Sequence, residues 1–233
     1  MSSRTSAKGT LALIGGGEWG EHHRALDHRL IEISGGSEIV VLPTAASYEH
    51  PDRVAAVASA HCDALGVTAT TLNVLNRRDA DSPENVAAVE RAKFVYLADG
   101  SPMHLRSVLK GSAIYEAMLA AYRSGAVVAA SGAGATVLCD PMVDPRGGAY
   151  TVGLGFVEGL AVFPYHGTAA DHMLARSIEL RPRDAILVGI DTETALIREP
   201  GGVWSVAGAG KVTVYADGEP TTHIAGSTGL TLP

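Results

Sequence analysis

The sequence predicts an α/β three-layer sandwich with a mainly parallel central sheet and a β-rich C-terminal part, and three observations carry that expectation. Short apolar runs rich in β-branched residues alternate with segments of helical period from Thr10 to Cys139. From Ile186 onward the pattern turns to short β segments separated by Gly-rich turns. Small or Gly-rich turns follow the early strands, at Gly15-Gly16-Gly17, Thr44-Ala45-Ala46-Ser47, Asp99-Gly100-Ser101 and Ser131-Gly132-Ala133-Gly134. In such sheets ligands bind at the carboxyl ends of the strands.

Taken in order, Thr10–Ile14 reads as a strand, and Trp19, His23, Leu26, Leu30 and Ile33 recur at helical steps up to Gly35-Gly36. Glu38–Leu42 is the second strand. Pro51 fits the first turn of a helix whose face is Val54, Ala58, Cys62 and Leu65, stopped by Gly66. Val67–Leu72 is the third strand. Ser82-Pro83-Glu84 supplies an N-cap, an N1 proline and a first-turn acid for a helix to Ala92. Phe94–Ala98 is the fourth strand, Ser101-Pro102 opens a helix to Leu109, and Ala113–Arg123 carries Ile114, Ala117, Met118 and Ala121 on one helical face. Ala126–Ala130 is a buried strand, and Ala133–Cys139 continues as a helix. Asp140–Gly148, rich in Pro, Asp and Gly, is expected to be loop. Leu160–Phe163, Ile186–Ile190, Ala195–Arg198, Val203–Val206 and Val212–Tyr215 read as strands, with a helix over Ala170–Leu180.

The 233 residues are 46% hydrophobic and 18% charged, enough for one large core, so a single domain with a flexible Met1–Lys8 is expected. Net charge is −7 and no basic cluster occurs, which argues against nucleic acid and anionic membranes as partners. No apolar stretch approaches the roughly 18 residues of a membrane span. Met1–Lys8 is polar with no apolar segment behind it, unlike a secretory signal. Cys62 and Cys139 fall in apolar helical patterns and read as reduced core thiols. A cytoplasmic location is expected, and the sequence leaves a homodimer open.

Ser131-Gly132-Ala133-Gly134, between a strand and a helix, has the form of a nucleophile elbow, a sharp turn that lifts one side chain above the sheet edge. The backbone N–H groups of Ala133, at the helix start, and of Gly100 need no side chain and are expected to attract an oxyanion, carbonyl or carboxylate oxygen. Gly15-Gly16-Gly17-Glu18-Trp19-Gly20 fits the G-x-G-x-x-G of dinucleotide-binding folds, but the acid expected at the end of the second strand is replaced by Leu42-Pro43-Thr44. A tight turn that lets backbone approach a ligand or a neighbouring loop is favoured over a dinucleotide site, and no cofactor is expected.

Several segments together resemble peptidase family S51, which includes cyanophycinase and dipeptidase E. Gly15-Gly16-Gly17-Glu18 resembles the family's G-G-G-E and Leu42-Pro43-Thr44-Ala45 its P-T-A turn. Asp99-Gly100-Ser101-Pro102 with Leu105 resembles G-G-N/D-x-x-x-L, and Gly153-Leu154-Gly155 with Gly159 resembles the entry to the histidine strand. Gly189-Ile190-Asp191 with Thr194-Ala195 resembles G-I-D-E-x-T-A, and Gly208–Tyr215 resembles the G-x-G-x-V-x-V tail. The resemblance implies a flavodoxin-like, class I glutamine amidotransferase-like fold. It also implies hydrolysis of peptide bonds beside aspartate by a serine nucleophile, a histidine base and an acidic helper.

The departures fall on the chemistry. Aligned with the family elbow G-T-S-A-G-A, the nucleophile position is Gly132, with Ser131 one residue early. The histidine position is Tyr165, with His166 one residue late, and the glutamate of G-I-D-E is Thr192, flanked by Asp191 and Glu193. In another branch the acid follows the elbow, where Asp140 and Asp144 stand; Asp144 reads as an ordinary loop aspartate. A glycine cannot attack a carbonyl. The favoured expectation is a non-peptidase member that binds a small acidic or peptide-like ligand, or runs altered chemistry, in the old pocket. Its ligand-binding candidates are Gly16, Gly17, Glu18, Asp99, Gly100, Ser101 and Ala133. An active serine hydrolase using shifted Ser131 and His166 is the alternative, and a structural or assembly role is a third. Gly15–Gly17, Asp99–Ser101, Gly132–Ala133 and Tyr165–His166 are expected to line one cleft. His166 and His172 do not have a recognised metal spacing. His22 and His23 read as surface residues, and Arg106 and Arg176 as exposed helix charges.

Overall fold

The computed structural model describes residues 9–233; the expected flexible, non-secretory segment at residues 1–8 lies outside them. The first half alternates β1 (Thr10–Ile14), α1 (His23–Ser34), β2 (Glu38–Leu42), α2 (Pro51–Ala64), β3 (Thr68–Thr71), α3 (Arg77–Ala80), α4 (Pro83–Arg91), β4 (Phe94–Leu97), α5 (Pro102–Leu109), α6 (Ala113–Arg123), β5 (Val127–Ser131) and α7 (Ala133–Leu138). Short strands β6 (Cys139–Asp140), β7 (Met142–Val143), β8 (Tyr150–Thr151) and β9 (Val157–Glu158) follow. Then come β10 (Leu160–His166), α8 (Asp171–Glu179), β11 (Ile186–Asp191), β12 (Thr194–Arg198), β13 (Trp204–Gly208), β14 (Lys211–Tyr215), β15 (Thr221–Ile224) and β16 (Thr228–Leu230).

The order across the main sheet is β16-β13-β12-β1-β5-β4-β2-β3. β1, β5, β4, β2 and β3 run parallel, and β12, β13 and β16 extend the sheet antiparallel. Parallel crossovers put helices on both faces, so the central strands are apolar throughout rather than alternating. Leu11, Leu13, Val128 and Ala130 face the core shared with α4 to α7, while Ala12, Ile14, Val127 and Ala129 face Leu26 and Leu30 of α1 and Ala58 of α2. A second sheet, β10-β11-β14-β15, sends Val162, Val188 and Val212 into the first core. Its other face packs Ala161, Phe163 and Leu187 on Met173 and Leu174 of α8. This is the expected α/β architecture with a mainly parallel central sheet and a β-rich end.

Four expectations need correction. The segment expected to be loop, Asp140–Gly148, contains strand residues, because Cys139–Asp140 pairs with Val157–Glu158 and Met142–Val143 with Tyr150–Thr151 further along the chain. His23 is fully buried, not at the surface. It sits against Asp27, whose Oδ2 is 2.8 Å from His61 Nε2. Burial alone would raise the Asp27 carboxyl, but His23 and His61 outweigh it and hold it below the usual range. Arg106 is not merely a free surface charge, since its Nε donates to the Val152 carbonyl. Cys62 in α2 and Cys139, in β6 rather than a helix, are free and buried. No helix among the described residues is long and apolar enough to cross a membrane.

Candidate active site

β1, β5 and β4 are neighbours, so the turns after them meet at one edge of the sheet. β5 ends at Ser131, and Gly132 turns the chain into α7 with φ 46° and ψ −102°. That left-handed backbone favours glycine. Its N–H donates to the Ile14 carbonyl at 3.0 Å, tying the elbow to β1. The small residues after it let α7 lie close to the sheet: a Cβ at Gly134 would come within 3.1 Å of the Ala130 and Leu97 side chains.

A Cβ added at Gly132 would clash with the Asp99 carboxyl group, too close to its carbon and to both oxygens. Asp99 follows β4. Its Oδ1 accepts from the Gly100 N–H at 2.7 Å and the Ala133 N–H at 2.6 Å, and its Oδ2 accepts from the Tyr165 hydroxyl. Those two amides are the donors expected to receive an oxyanion, and here the chain's own carboxylate engages both of them. Burial pushes the Asp99 carboxyl up to about 6; the Ala133 and Gly100 amides pull it down, while the charges of Glu18 and Glu49 push it further up. Glu18, after β1, completes the edge. Its Oε1 accepts from the Asp99 N–H at 2.9 Å and its Oε2 from the Ser131 hydroxyl at 2.6 Å.

Tyr165 comes from the end of β10 with φ 55°. Its N–H donates to the Gly15 carbonyl at 2.7 Å, and its ring lies where a Cβ on Gly16 would stand. The next residue turns away. His166 is buried, with Nδ1 2.9 Å from Asp191 Oδ1 and Nε2 2.8 Å from the Tyr215 hydroxyl. It borders a different hollow, with Gly167, Thr168, Asp191, Thr192, Ala209 and Gly210. The turn after Asp191 backs the glycine turn: Glu193 donates its N–H to the Gly16 carbonyl at 2.9 Å, and the Thr192 methyl packs where a Cβ on Gly17 would be.

A cavity of about 240 Å³ opens over this edge. Asp99, Gly100, Ala133 and Tyr165 form its polar end, and Val143, Pro145, Phe163, Pro164 and Met173 form much of its wall. Among the described residues, Asp99 is the one charged side chain that lines it.

The structure therefore gathers Gly16, Glu18, Asp99, Gly100, Gly132, Ala133 and Tyr165, and separates Ser131 from His166. Ser131 is fully buried and spent on Glu18, and His166 is spent on Asp191 and Tyr215. The pairing expected of a shifted serine hydrolase is absent from this arrangement, because consecutive residues at a strand end face opposite ways. Of the residues expected to line the cleft or hold a ligand, Asp99, Gly100, Ala133 and Tyr165 line the cavity, whereas Gly15, Gly16, Gly17, Glu18, Gly132 and Ser101 do not; Ser101 stands at the N-cap of α5 and donates its N–H to the Ala45 carbonyl at 2.8 Å. Asp144 stays with Arg146, whose guanidinium holds its carboxyl below the usual range. The apolar wall, Phe163 and Met173 above all, was not anticipated among the site residues. One signal for Asp99 was present: in the G-G-N/D-x-x-x-L pattern anchored on Leu105, the first glycine falls at Asp99. The carboxylate thus enters at a family glycine, opposite a glycine that stands at the family serine.

Comparison with known proteins agrees with the resemblance. The family model described as peptidase family S51 matches residues 11–205. Cyanophycinase of Synechococcus elongatus is 24% identical over 219 residues, covering 89% of this chain and 68% of the relative. Cyanophycinase of a Nostoc species is 25% identical over 237 residues, covering 96% and 78%. The crystal structure of a peptidase from an acI-B1 actinobacterium superposes with a TM-score of 0.87 at 30% identity, covering 96% of this chain and 97% of that one. A protein from Listeria monocytogenes described as a putative peptidase E shares the fold, with a TM-score of 0.61 at 13% identity over 93% of this chain and 98% of that one.

Proposed function

The chain belongs to peptidase family S51, and we propose that within it this protein is a non-peptidase member that holds a small peptide-like ligand in the inherited pocket. One observation carries the reading: the Asp99 carboxylate occupies the space in which a nucleophilic side chain on residue 132 would stand, and takes both amides that would stabilise an oxyanion. Loss of a catalytic unit of this kind costs about 10⁶-fold in turnover. Restoring a serine alone would not recover it, because the room and the donors are already in use. In this reading the protein works in the cytoplasm, in keeping with the sequence expectation and with its two free, buried cysteines.

A second reading, different chemistry in the same cavity, is favoured by the near-neutral Asp99 carboxyl beside Tyr165. A carboxyl raised to about 6 in the wall of a cavity has the affinity for protons that a general base needs.

The test is hydrolysis of aspartyl dipeptides and cyanophycin by the wild type and by a variant carrying Asp99→Gly, Gly132→Ser, Tyr165→His and Thr192→Glu together. A silent wild type and a hydrolytic variant support an inherited peptidase pocket stripped of its chemistry. Wild-type turnover that survives extensive purification and is lost in Ser131→Ala overturns the reading.

A further inference from the structure

Resting on that reading, we propose that the cavity takes a small primary amine with an apolar tail, its ammonium group against the Asp99 carboxylate and its tail between Phe163, Pro164, Val143 and Met173. The sequence suggested a small acidic or peptide-like ligand. The charges in the folded chain argue for the opposite sign. Asp99 is the one charged side chain in the wall among the described residues, and no lysine, arginine or histidine joins it. Glu18 stands directly behind, bonded to the Asp99 N–H, and the charge of Glu49 reaches the same carboxyl. A carboxylate ligand would meet these negative charges with no cation to offset them, in a site where burial strengthens the repulsion.

Donors point the same way. An acidic ligand needs N–H or O–H groups, but the Gly100 and Ala133 amides and the Tyr165 hydroxyl all donate to Asp99. An ammonium group needs acceptors, and a carboxylate offers about four lone-pair positions, of which these three donors take three. The ammonium would supply the missing counter-charge to a carboxyl that burial now disfavours. The remaining wall is apolar and suits an alkyl or aryl tail. At about 30 Å³ per water-sized group, the 240 Å³ cavity admits roughly eight such groups, enough for a phenyl or branched alkyl tail on a short chain.

The experiment is calorimetric titration of the full chain at pH 7.5 with 2-phenylethylamine and, separately, with 3-phenylpropionate, which matches its tail and reverses its charge. The amine is expected to bind at least tenfold more tightly than the acid, and Asp99→Asn to weaken the amine at least tenfold. In the wild type, amine affinity is expected to fall as pH drops below about 6, where Asp99 takes up a proton. Glu18 and Glu49 also face Asp99, so the same pH series on Glu18→Gln and Glu49→Gln assigns the titration; a fall that remains in both variants belongs to Asp99. Equal or tighter binding of the acid, an amine affinity indifferent to Asp99→Asn, or no binding of either probe at millimolar concentration overturns the proposal. Failure here leaves the non-peptidase reading standing, whereas peptide turnover by the wild type would remove that reading whatever the amine does.

Discussion

The Asp99 carboxylate lies where a side chain on Gly132 would begin. The two residues come from the ends of adjacent parallel strands, β4 and β5, so a group delivered by either turn reaches the same point above the sheet. The family patterns that the chain resembles carry a serine at the position of Gly132 and a glycine at the position of Asp99, and this chain presents an aspartate from the β4 turn over a glycine in the β5 turn. The exchange keeps the volume filled while replacing an activated hydroxyl with an anion that saturates the neighbouring amides.

Gly132→Ser alone is expected to destabilise the protein by about 3 kcal/mol, because a Cβ there overlaps Asp99 and the backbone is left-handed. Adding Asp99→Gly is expected to recover at least about 1 kcal/mol of that loss. Urea unfolding of both single variants and the double measures the coupling; additive effects would mean that the two residues do not share one space.

Asp99→Asn keeps an acceptor for both amides and removes the buried charge. Because the folded carboxyl titrates near 6, above its ordinary 3.8, the wild type loses stability as pH rises through that range. The variant is expected to be more stable at pH 8 by up to about 3 kcal/mol, the free-energy equivalent of that shift. The gap should open between about pH 4 and 6 and stay constant above. Thermal unfolding across pH checks it, and a gap that narrows with rising pH would contradict the assignment.

Glu18→Gln removes a negative charge that raises the Asp99 carboxyl. The Asp99 titration midpoint, followed by carbon NMR of its carboxyl, is expected to move below 6. An upward movement would show that the hydrogen bonds of Glu18, rather than its charge, dominate.

Asp27→Ala leaves His23 and His61 without the buried carboxylate between them. The expected cost is about 3 kcal/mol in urea unfolding, with Asp27→Asn costing less because it keeps an oxygen for His61. A cost under about 0.5 kcal/mol for the alanine variant would place this cluster outside the stabilising core.

Much of the architecture was legible because β1 and β5 are covered on both faces and therefore read as unbroken apolar runs. β15 was missed, since Thr221–Ile224 is mostly polar and exposed and forms a strand through its pairing with β14. α3 was missed because four residues carry too short a period, although Asn76 and Asp79 form a capping box around it. His23 was misread because its burial depends on the packing of α1 against its neighbours; Asp27 lies one turn along in α1, and it is Asp27, not His23, that bonds His61 of α2. In the site, the loss of a nucleophile at Gly132 could be read directly from the residue type. The arrival of Asp99 in its place could not: the β4 and β5 turns were expected to share one cleft, but nothing local to either turn states that the Asp99 carboxyl reaches the space over Gly132. The opposite directions of Tyr165 and His166 follow from strand alternation together with the left-handed backbone at Tyr165, a conformation that its residue type does not announce.

The central claim is that this elbow presents no activated nucleophile, and fluorophosphonate labelling followed by intact-mass and peptide mapping tests it most directly. The wild type is expected to remain unmodified, with Ser131 buried against Glu18. The variant combining Asp99→Gly, Gly132→Ser, Tyr165→His and Thr192→Glu is expected to gain a single adduct at position 132. An adduct on Ser131 of the wild type would contradict the account.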